Sequence, residues 1–293
     1  MTVLLSGATN QIGRFLLARL VAARQPVVAL SRHAQPAQVG VDWWAADMRA
    51  LASPDRPWSA IVSFAPLDAW GDWLARQTQA PARKIIVTSS MSVLTKQHSA
   101  QPAEQALVKL LQQGEANLAA QADRLGMQWT ILRPTLVYGA GVDRSLTPFV
   151  QRALRSRVFP IPMAQGIRQP VHADDIALAV MQALQCDAAA GQILQIGGGE
   201  RLSYQQMFQR VHRSIGRLTL PVYLPGGLLT LLSRAWPRMR GPVSRLRQDL
   251  VADNRRLAEL LGVHPRPFHP GPQTWRAMTA EQAADRIRQA SAG

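Results

Sequence analysis

A strand, a glycine turn and a helix at the amino end of the chain constrain its fold more than any other feature. Residues 3–5 are a short apolar run typical of a buried parallel strand, and apolar residues recur at helical spacing from Ile12 onward. The turn between them reads Ser6-Gly-Ala-Thr-Asn-Gln-Ile-Gly13. Such a turn aims backbone N–H groups and the positive end of a helix at one point, which attracts a pyrophosphate. The pattern therefore predicts a dinucleotide-binding loop.

The loop departs from the usual pattern at its middle glycine, which is Asn10 here. Asparagine tolerates left-handed backbone angles better than most other residues, so we expect the tight turn to survive. Gly13 is expected to let the helix pack close to the strand. The loop residues that we expect to contact the cofactor are Gly7, Thr9, Asn10, Gln11, Ile12 and Gly13.

Apolar strands alternate with helical segments through the next part of the chain, which is typical of an α/β fold with a doubly wound parallel sheet. Further strands are predicted at residues 26–30, 60–66, 84–90, 129–134 and 192–196, with a weaker one ending at residues 47–48. Helices are predicted near residues 105–125 and 148–156.

Side chains at the carboxyl ends of these strands are candidates for the site, because ligands bind there in open parallel sheets. Ser31 and Arg32 end the second strand. An arginine there suits the 2′-phosphate of NADP, so NADP is preferred over NAD, although an exposed loop arginine is the alternative. Asp47, followed by Met48, is a candidate for accepting a hydrogen bond from the adenine amine of the cofactor, and a surface turn is the alternative.

The next two strand ends add further candidates. Phe64, Ala65 and Pro66 are expected to line the cofactor. Thr88, Ser89 and Ser90 end the fifth strand in small hydroxyl groups, which suit either a binding site or a simple turn.

The charge is strongly positive, at +15, and 30 of the 33 basic residues are arginine. Fifteen arginines against five acids lie after residue 200. A basic half can hold nucleic acid or an anionic membrane, but no recognition-helix, RNA-binding or zinc signature accompanies the charge. We therefore expect no nucleic-acid partner and favour an anionic substrate or an arginine-rich surface. The segment 228–240 is predicted to be a basic amphipathic cap helix.

No stretch is apolar for long enough to span a bilayer, since Pro221, Pro225 and two glycines interrupt the nearest one. The single cysteine, Cys186, excludes an internal disulfide and a multi-cysteine metal site, and no metal is expected. The first residues lead directly into a strand without a basic start, so we expect no signal peptide and a cytoplasmic protein.

Together the motifs resemble the extended short-chain dehydrogenase/reductase superfamily, and within it the NAD-dependent epimerase/dehydratase family. The resemblance covers nearly the whole chain. Besides the first loop, it rests on Thr88-Ser-Ser90, Leu132-Arg-Pro-Thr-Leu-Val-Tyr-Gly139, Gln169-Pro-Val-His-Ala-Asp-Asp-Ile-Ala177, and the tail Asp249-Leu-Val-Ala-Asp-Asn254 with Pro265-Arg-Pro-Phe268.

The resemblance implies a Rossmann domain at residues 1–139 and 167–198, and a small, mostly helical C-terminal cap or substrate region at residues 140–166 and 199–293. It also implies that Arg133 and Pro134 lie beside the cofactor.

The sequence departs from the family at its acid/base pair, a tyrosine with a lysine four residues later. Glu115 resembles the glutamate that follows the family's lysine by four residues, and aligning the chain on it puts Leu107 and Leu111 at the two positions of the pair. No tyrosine precedes Tyr138 in the chain. Leucine can neither donate a proton nor hold charge. The candidate replacements are Ser90, Tyr138, Lys96 and His98, with a packing role as the alternative for Tyr138.

The resemblance to the family and the missing tyrosine–lysine pair together lead to two candidate functions. The first is an NADP(H)-binding, epimerase/dehydratase-like oxidoreductase with a non-standard acid/base group, acting on an unidentified carbonyl or sugar-nucleotide substrate. The alternative is a catalytically silent NADP(H)-binding sensor or assembly protein. Candidates for holding an anionic substrate are Ser90, Arg152, Arg155 and Arg168, with surface arginine as the alternative. A small-molecule substrate and a second copy of the chain are the expected partners.

Overall fold

A computed structural model of the chain describes residues 2–99, 101–228, 231, 246 and 248–291. The strands are β1 (Val3–Ser6), β2 (Val27–Ser31), β3 (Val41–Ala45), β4 (Trp58–Ser63), β5 (Ala82–Thr88), β6 (Gln128–Pro134), β7 (Val137–Tyr138), β8 (Val158–Met163), β9 (Ile167–Arg168), β10 (Val171–His172), β11 (Gln192–Ile196), β12 (Leu202–Ser203) and β13 (Leu220–Pro225).

Helices separate most of these strands. Those that lie wholly within the described residues are α1 (Gln11–Ala22), α2 (Leu67–Ala75), α3 (Ser92–Thr95), α4 (Pro102–Arg124), α5 (Thr147–Ser156), α6 (Ala173–Gln185), α7 (Tyr204–Arg213), α8 (Arg255–Leu261) and α9 (Ala280–Ser291). Short 3-10 turns occupy Met48–Ala50, Asp187–Ala189 and Pro272–Trp275.

Seven strands form one parallel sheet in the order β11-β6-β5-β4-β1-β2-β3. The order reverses beside β1, which places the carboxyl ends of β1, β2 and β4 around one crevice. The apolar strand runs are buried on both faces, as a parallel sheet requires. The predicted doubly wound α/β fold is confirmed.

The two faces of the sheet are covered by different helices. Because strand side chains alternate, Val3 and Leu5 pack into the same core as α1 and α6, whereas Leu4 packs against α2 and α4. Trp70 and Trp73 of α2 are fully buried in that second core.

The predicted cap region 199–293 divides in two. Strand β13 pairs in parallel with β8, and β12 pairs antiparallel with β9, so residues 202–225 join the excursion after β7. In contrast, α8 packs near β11 and α9 packs along α1, which adds both to a helix layer over the sheet. The predicted cap helix at 228–240 falls almost wholly outside the described residues.

The weak third strand ends earlier than the sequence predicts. Strand β3 stops at Ala45, and the Asp47 carboxylate accepts a hydrogen bond from the Arg49 N–H at 2.9 Å. This side-chain cap favours a turn over continued strand pairing at residues 47–48.

Candidate functional site

Two glycines give the first loop its shape. Gly7 has φ +79°, and a Cβ there would lie 3.2 Å from the Phe64 carbonyl carbon. A Cβ on Gly13 would lie 2.1 Å from the Gly7 oxygen and 2.7 Å from the Ala8 Cα. Because the obstructing atoms at Gly13 are backbone, helix α1 can approach β1 this closely only without a side chain at that position.

Asn10 is accommodated differently from the sequence-based expectation. The turn survives as expected, but Asn10 has φ −79° and ψ 176°, which is extended, so its tolerance of left-handed angles is not used. Instead, Asn10 is the N-cap of α1: its Oδ1 accepts the N–H groups of Ile12 at 2.9 Å and Gly13 at 2.8 Å. Its Nδ2 donates to the Phe64 oxygen at 3.2 Å, which ties the loop to the end of β4.

A cavity of about 470 Å³ opens at the carboxyl ends of β1, β2 and β4. The predicted cofactor-contacting residues that line it are Gly7, Thr9, Asn10, Ser31, Arg32, Asp47, Met48, Phe64, Ala65 and Pro66. The remaining predicted ones, which are absent from its lining, are Gln11, Ile12, Gly13, Thr88, Ser89, Arg133 and Pro134. The structure therefore brings together residues from three strand ends.

The cavity is rich in positive charge. Arg32 lines it, together with Arg49 and Arg144, which the sequence reasoning missed, and His33 lies beside them. The carboxylate in this lining is that of Asp47, which caps the turn carrying Arg49. Three guanidinium groups around one carboxylate make an environment suited to a ligand that carries phosphate groups.

Arg144 reaches the cavity because the chain turns sharply before α5. The Asp143 Oδ1 accepts the N–H groups of Leu146 at 2.6 Å and Ser145 at 3.0 Å. The Thr147 N–H also donates to it at 3.1 Å, and the Thr147 hydroxyl bonds the other carboxylate oxygen. An aspartate two to four residues before a helical segment signals such a cap, but the sequence does not show that the neighbouring arginine faces β1 and β4.

Two unpartnered polar atoms lie near this edge of the sheet. The hydroxyl of Ser89 and the side-chain oxygen of Gln11 are buried without hydrogen-bond partners in the described part of the chain. The Ser89 N–H is used, since it donates to the Leu132 oxygen at 2.7 Å. Buried polar atoms are nearly always bonded, so these two atoms suit a bound ligand that offers partners.

Ser90 and Thr88 have local roles. The Ser90 Oγ accepts the Ser92 N–H at 3.1 Å and lies 3.1 Å from the Ser92 Oγ, which shapes the entry to α3. Thr88 pairs with Leu132 across β5 and β6.

Arg133 and Glu115 form an ion pair between β6 and α4. The Arg133 Nε donates to the Glu115 Oε1 at 2.9 Å, and an Nη2 bond to Oε2 completes the bidentate pair. Glu115 is buried and Arg133 nearly so. The Pro134 oxygen accepts the Met91 N–H at 3.0 Å. The guanidinium predicted to lie beside the cofactor thus anchors α4 to the sheet.

The positions of the family's acid/base pair lie on α4. Leu107 is 38 % exposed and Leu111 is partly buried. Of the other candidates, Lys96 is drawn to a buried carboxylate: its Nζ lies 3.0 Å from Glu104, which also accepts the Ser99 hydroxyl at 2.7 Å. His98 is exposed.

Tyr138 lies outside the lining of the cavity at β1, β2 and β4. It is only 2 % exposed, and its ring packs edge-on against His172 at 5.2 Å and Phe268 at 4.8 Å. Burial, and then the negative charge of Asp175, raise the pKa of Tyr138 above its usual value. A raised pKa makes this phenol a weaker acid.

The three predicted substrate arginines have different surroundings. Arg152 and Arg155 are exposed on α5. Arg168 is buried, donates to the Ile167 oxygen at 2.8 Å and to the Gln248 oxygen, and lies 4.9 Å from the centre of the Tyr204 ring. Its guanidinium therefore fastens the segment around residue 248 to β9.

The described residues contain no cluster of three or more histidine, cysteine, aspartate or glutamate side chains placed to hold a metal. Nor does any helix in the described ranges have the length and apolar character needed to cross a membrane.

Residues 75–197 match the model of the NAD dependent epimerase/dehydratase family. The resemblance predicted from the motifs is therefore confirmed over this segment. An uncharacterized protein of Mycobacterium tuberculosis is 24% identical over 226 residues, 77% of this chain. The matched part is only 24% of that relative's length. A 2'-dehydrokanamycin reductase of Streptomyces kanamyceticus is 25% identical over 245 residues, covering 76% of this chain and 69% of the relative.

Among solved structures, a UDP-glucuronic acid 4-epimerase from Bacillus cereus in complex with NAD superposes with a TM-score of 0.73. The superposition covers 99% of each chain at 16% sequence identity. This likeness shows the fold.

Proposed function

We propose that the chain binds NADP(H) in the cavity at the carboxyl ends of β1, β2 and β4 and acts as an epimerase/dehydratase-like oxidoreductase. The observation that carries the proposal is the charge of that cavity: Arg32, Arg49 and Arg144 line it around the single carboxylate of Asp47. NADP carries a 2′-phosphate in addition to its pyrophosphate, and arginine is the side chain that best matches phosphate geometry.

The residues present fit such a cofactor. Gly7 and Gly13 allow the close loop, and the N-terminus of α1 favours phosphate. Ser31 and Arg32 end β2 where the adenosine ribose is expected, and Phe64 with Pro66 offers an apolar wall. When bound, the nicotinamide supplies hydride transfer, while the protein's own residues orient the reactants and exclude water.

For the substrate, we propose a sugar-derived carbonyl compound or a sugar nucleotide. The Streptomyces kanamyceticus relative is named as a 2'-dehydrokanamycin reductase, and the Bacillus cereus enzyme as a UDP-glucuronic acid 4-epimerase. Exposed Arg152 and Arg155 on α5 are available to an anionic group of such a substrate.

The acid/base group of this proposal is non-standard, since leucine occupies both family positions. Ser90, already bonded to Ser92, can hold a substrate oxygen but is a very weak acid. Lys96, paired with Glu104, is the alternative.

A catalytically silent NADP(H)-binding sensor or assembly protein is the second candidate. It is favoured by Leu107 and Leu111 on α4 and by the raised pKa of buried Tyr138. The two functions share the cofactor and differ in turnover, so conversion of a substrate separates them. A cytoplasmic location and a homodimer complete the proposal, and cell fractionation and analytical ultracentrifugation test them.

The decisive experiment compares NADPH and NADH binding to wild type and to Arg32→Ala by isothermal titration calorimetry. Losing a charge-assisted contact to the 2′-phosphate should weaken NADPH by roughly 1–3 kcal/mol and leave NADH nearly unchanged. Arg256→Ala, an exposed arginine on α8 paired with Glu259, is the matched control and should bind both cofactors like wild type.

Equal weakening of both cofactors in Arg32→Ala would contradict the NADP preference. Turnover is then followed with aldehydes, ketones and UDP- or dTDP-sugars, both as NADPH oxidation or NADP reduction and as conversion of the sugar resolved by chromatography, because epimerisation returns the hydride and consumes no cofactor. Conversion that is lost in Ser90→Ala or Lys96→Met favours the enzyme, whereas tight binding without conversion of any compound in the set favours the sensor.

A further inference from the structure

A second cavity, of about 640 Å³, lies between the β7–β10 strand pair and the C-terminal residues. Tyr138 and His172 form its inner wall, and Arg266 and Arg286 lie in its outer wall. Among the described residues, it shares no lining residue with the cavity at β1, β2 and β4. The proposed function therefore makes no use of this space.

The acidic groups beside this cavity are already neutralised. Asp174 accepts two hydrogen bonds from Arg19, at 2.7 and 2.9 Å, and one from the Arg266 Nη2 at 2.8 Å. Asp175 accepts the Arg266 backbone N–H at 2.9 Å and its Nε at 2.7 Å. Two guanidinium groups thus balance the two carboxylates, which leaves no excess negative charge on this side.

Arg286 adds a positive charge that has no carboxylate partner in the described part of the chain. Its guanidinium is half-buried and donates to two backbone oxygens, those of Gly139 at 3.2 Å and Gln273 at 2.6 Å. Burial lowers the pKa of Arg286, as expected for a charge that lacks a counterion. A guanidinium has five N–H donors, so donors remain beyond these two bonds.

Tyr138 and His172 supply further donors. The His172 Nδ1 accepts the Asp174 N–H at 3.2 Å, so the neutral ring carries its proton on Nε2. Burial lowers the pKa of His172 to about 3, which keeps the ring neutral. Tyr138 is only 2 % exposed as a residue and lines the cavity, and no described residue forms a hydrogen bond with its hydroxyl, which leaves that hydroxyl as a donor for a ligand in the cavity.

We propose that this cavity binds a small oxyanion, a carboxylate or phosphate group, through the Arg286 guanidinium, the Tyr138 hydroxyl and the His172 Nε2–H. All three groups are donors and the net charge is positive, so a matching ligand must supply acceptor oxygens and negative charge. Exposed His269 and the Thr274 hydroxyl lie at the same cavity and add polar contacts for the remainder of such a ligand. This site is independent of the proposed NADP(H) function.

Isothermal titration calorimetry of the full chain with inorganic phosphate, and separately with succinate, tests the proposal. We expect saturable binding of at least one anion, and the anion that binds more tightly shows whether phosphate or carboxylate is the preferred group. Arg286→Gln should weaken that binding at least about tenfold, and Tyr138→Phe about threefold to tenfold. Because Arg286 also bonds two backbone oxygens, Tyr138→Phe decides the question if Arg286→Gln does not fold.

Two controls locate the anion. Arg288→Gln changes an exposed arginine on the same helix, paired with Asp285, and should bind the anion like wild type. Arg32→Ala should weaken only phosphate binding at the other cavity, which Arg32 lines, and should leave the Arg286-dependent binding unchanged. Absence of saturable binding, binding unaffected in both Arg286→Gln and Tyr138→Phe, or loss of the Arg286-dependent binding in Arg32→Ala would overturn the proposal. Failure of NADPH to bind wild type, with anion binding intact, would refute the proposed function alone.

Discussion

Replacing Asn10 by aspartate separates the stability of the first loop from its affinity for phosphate. The Asn10 Oδ1 caps α1 through the N–H groups of Ile12 and Gly13, and Asn10→Asp keeps an oxygen at that position. The variant loses the Nδ2 donor to the Phe64 oxygen and introduces a negative charge at the point where the phosphates are proposed to bind. Stability and cofactor affinity should therefore respond differently.

The expected magnitudes follow from these contacts. A carboxylate at the N-terminus of α1 contributes about 0.3–1 kcal/mol of stability through the helix dipole. Losing the bond to Phe64 costs about 0.5–1.5 kcal/mol. The free energy of unfolding should thus change by about 1 kcal/mol or less. A carboxylate about 5 Å from a phosphate charge repels it by roughly 3 kcal/mol near a protein surface. Since Asn10 is partly exposed, screening leaves an affinity loss of about tenfold or more.

Urea denaturation and NADPH titration of the same Asn10→Asp preparation measure both quantities. Asn10→Gly is the matched variant: it frees the Ile12 and Gly13 N–H groups, lowers stability by about 1–2 kcal/mol, and should bind NADPH at least as tightly as wild type. The reasoning is refuted if Asn10→Asp binds NADPH like wild type, or if Asn10→Gly loses affinity in proportion to its lost stability.

Three further perturbations test the scaffold around the site. Glu115→Gln removes one charge of the buried pair with Arg133 and should lower the free energy of unfolding by about 3–5 kcal/mol in urea denaturation; a loss below about 1 kcal/mol contradicts the anchoring role of the pair. Gly13→Ala should destabilise by about 3 kcal/mol because its Cβ meets backbone, whereas Gly227→Ala, with nothing within 4 Å, should leave the thermal midpoint unchanged. His172 is neutral in the folded state down to a pKa of about 3 but titrates near 6.5 when unfolded, so wild type should lose stability as pH falls from about 6.5 towards 3, by up to about 1.4 kcal/mol per pH unit. His172→Asn, whose side-chain oxygen can replace Nδ1 as the acceptor for the Asp174 N–H, should flatten that slope in denaturation curves recorded across this range; equal slopes contradict the burial of a neutral ring.

The sheet was predictable because its strands carry the strongest local signal. The predicted strand at residues 192–196 matches β11, and those at 84–90 and 129–134 lie within two residues of β5 and β6. Strands buried on both faces are continuous apolar runs in the sequence, so the local sequence is enough to locate them. The pairing of β8 with β13 was missed for two reasons. Pro160 and Pro162 are residues that normally argue against a strand, and the partner strand lies about 60 residues away in the sequence.

The site was predictable where strand ends carry it and was missed where a distant segment completes it. Gly7, Arg32 and Asp47, which were predicted from strand ends, line one cavity because the carboxyl ends of parallel strands meet at one edge. Arg144 was missed because it depends on the turn that Asp143 closes, which is a tertiary placement. The sequence shows that Arg168 is charged, but it does not show that Arg168 is buried. That burial depends on a hydrogen bond to the Gln248 oxygen, 80 residues away in the chain.

Calorimetric titration of the wild-type chain with NADPH and with NADH decides whether the cavity at β1, β2 and β4 holds a dinucleotide. We expect saturable binding of one cofactor per chain, with NADPH bound at least about tenfold more tightly than NADH because of the arginines at the cavity. No measurable affinity for either cofactor would contradict the assignment of the cavity, and tighter binding of NADH would contradict the role given to Arg32.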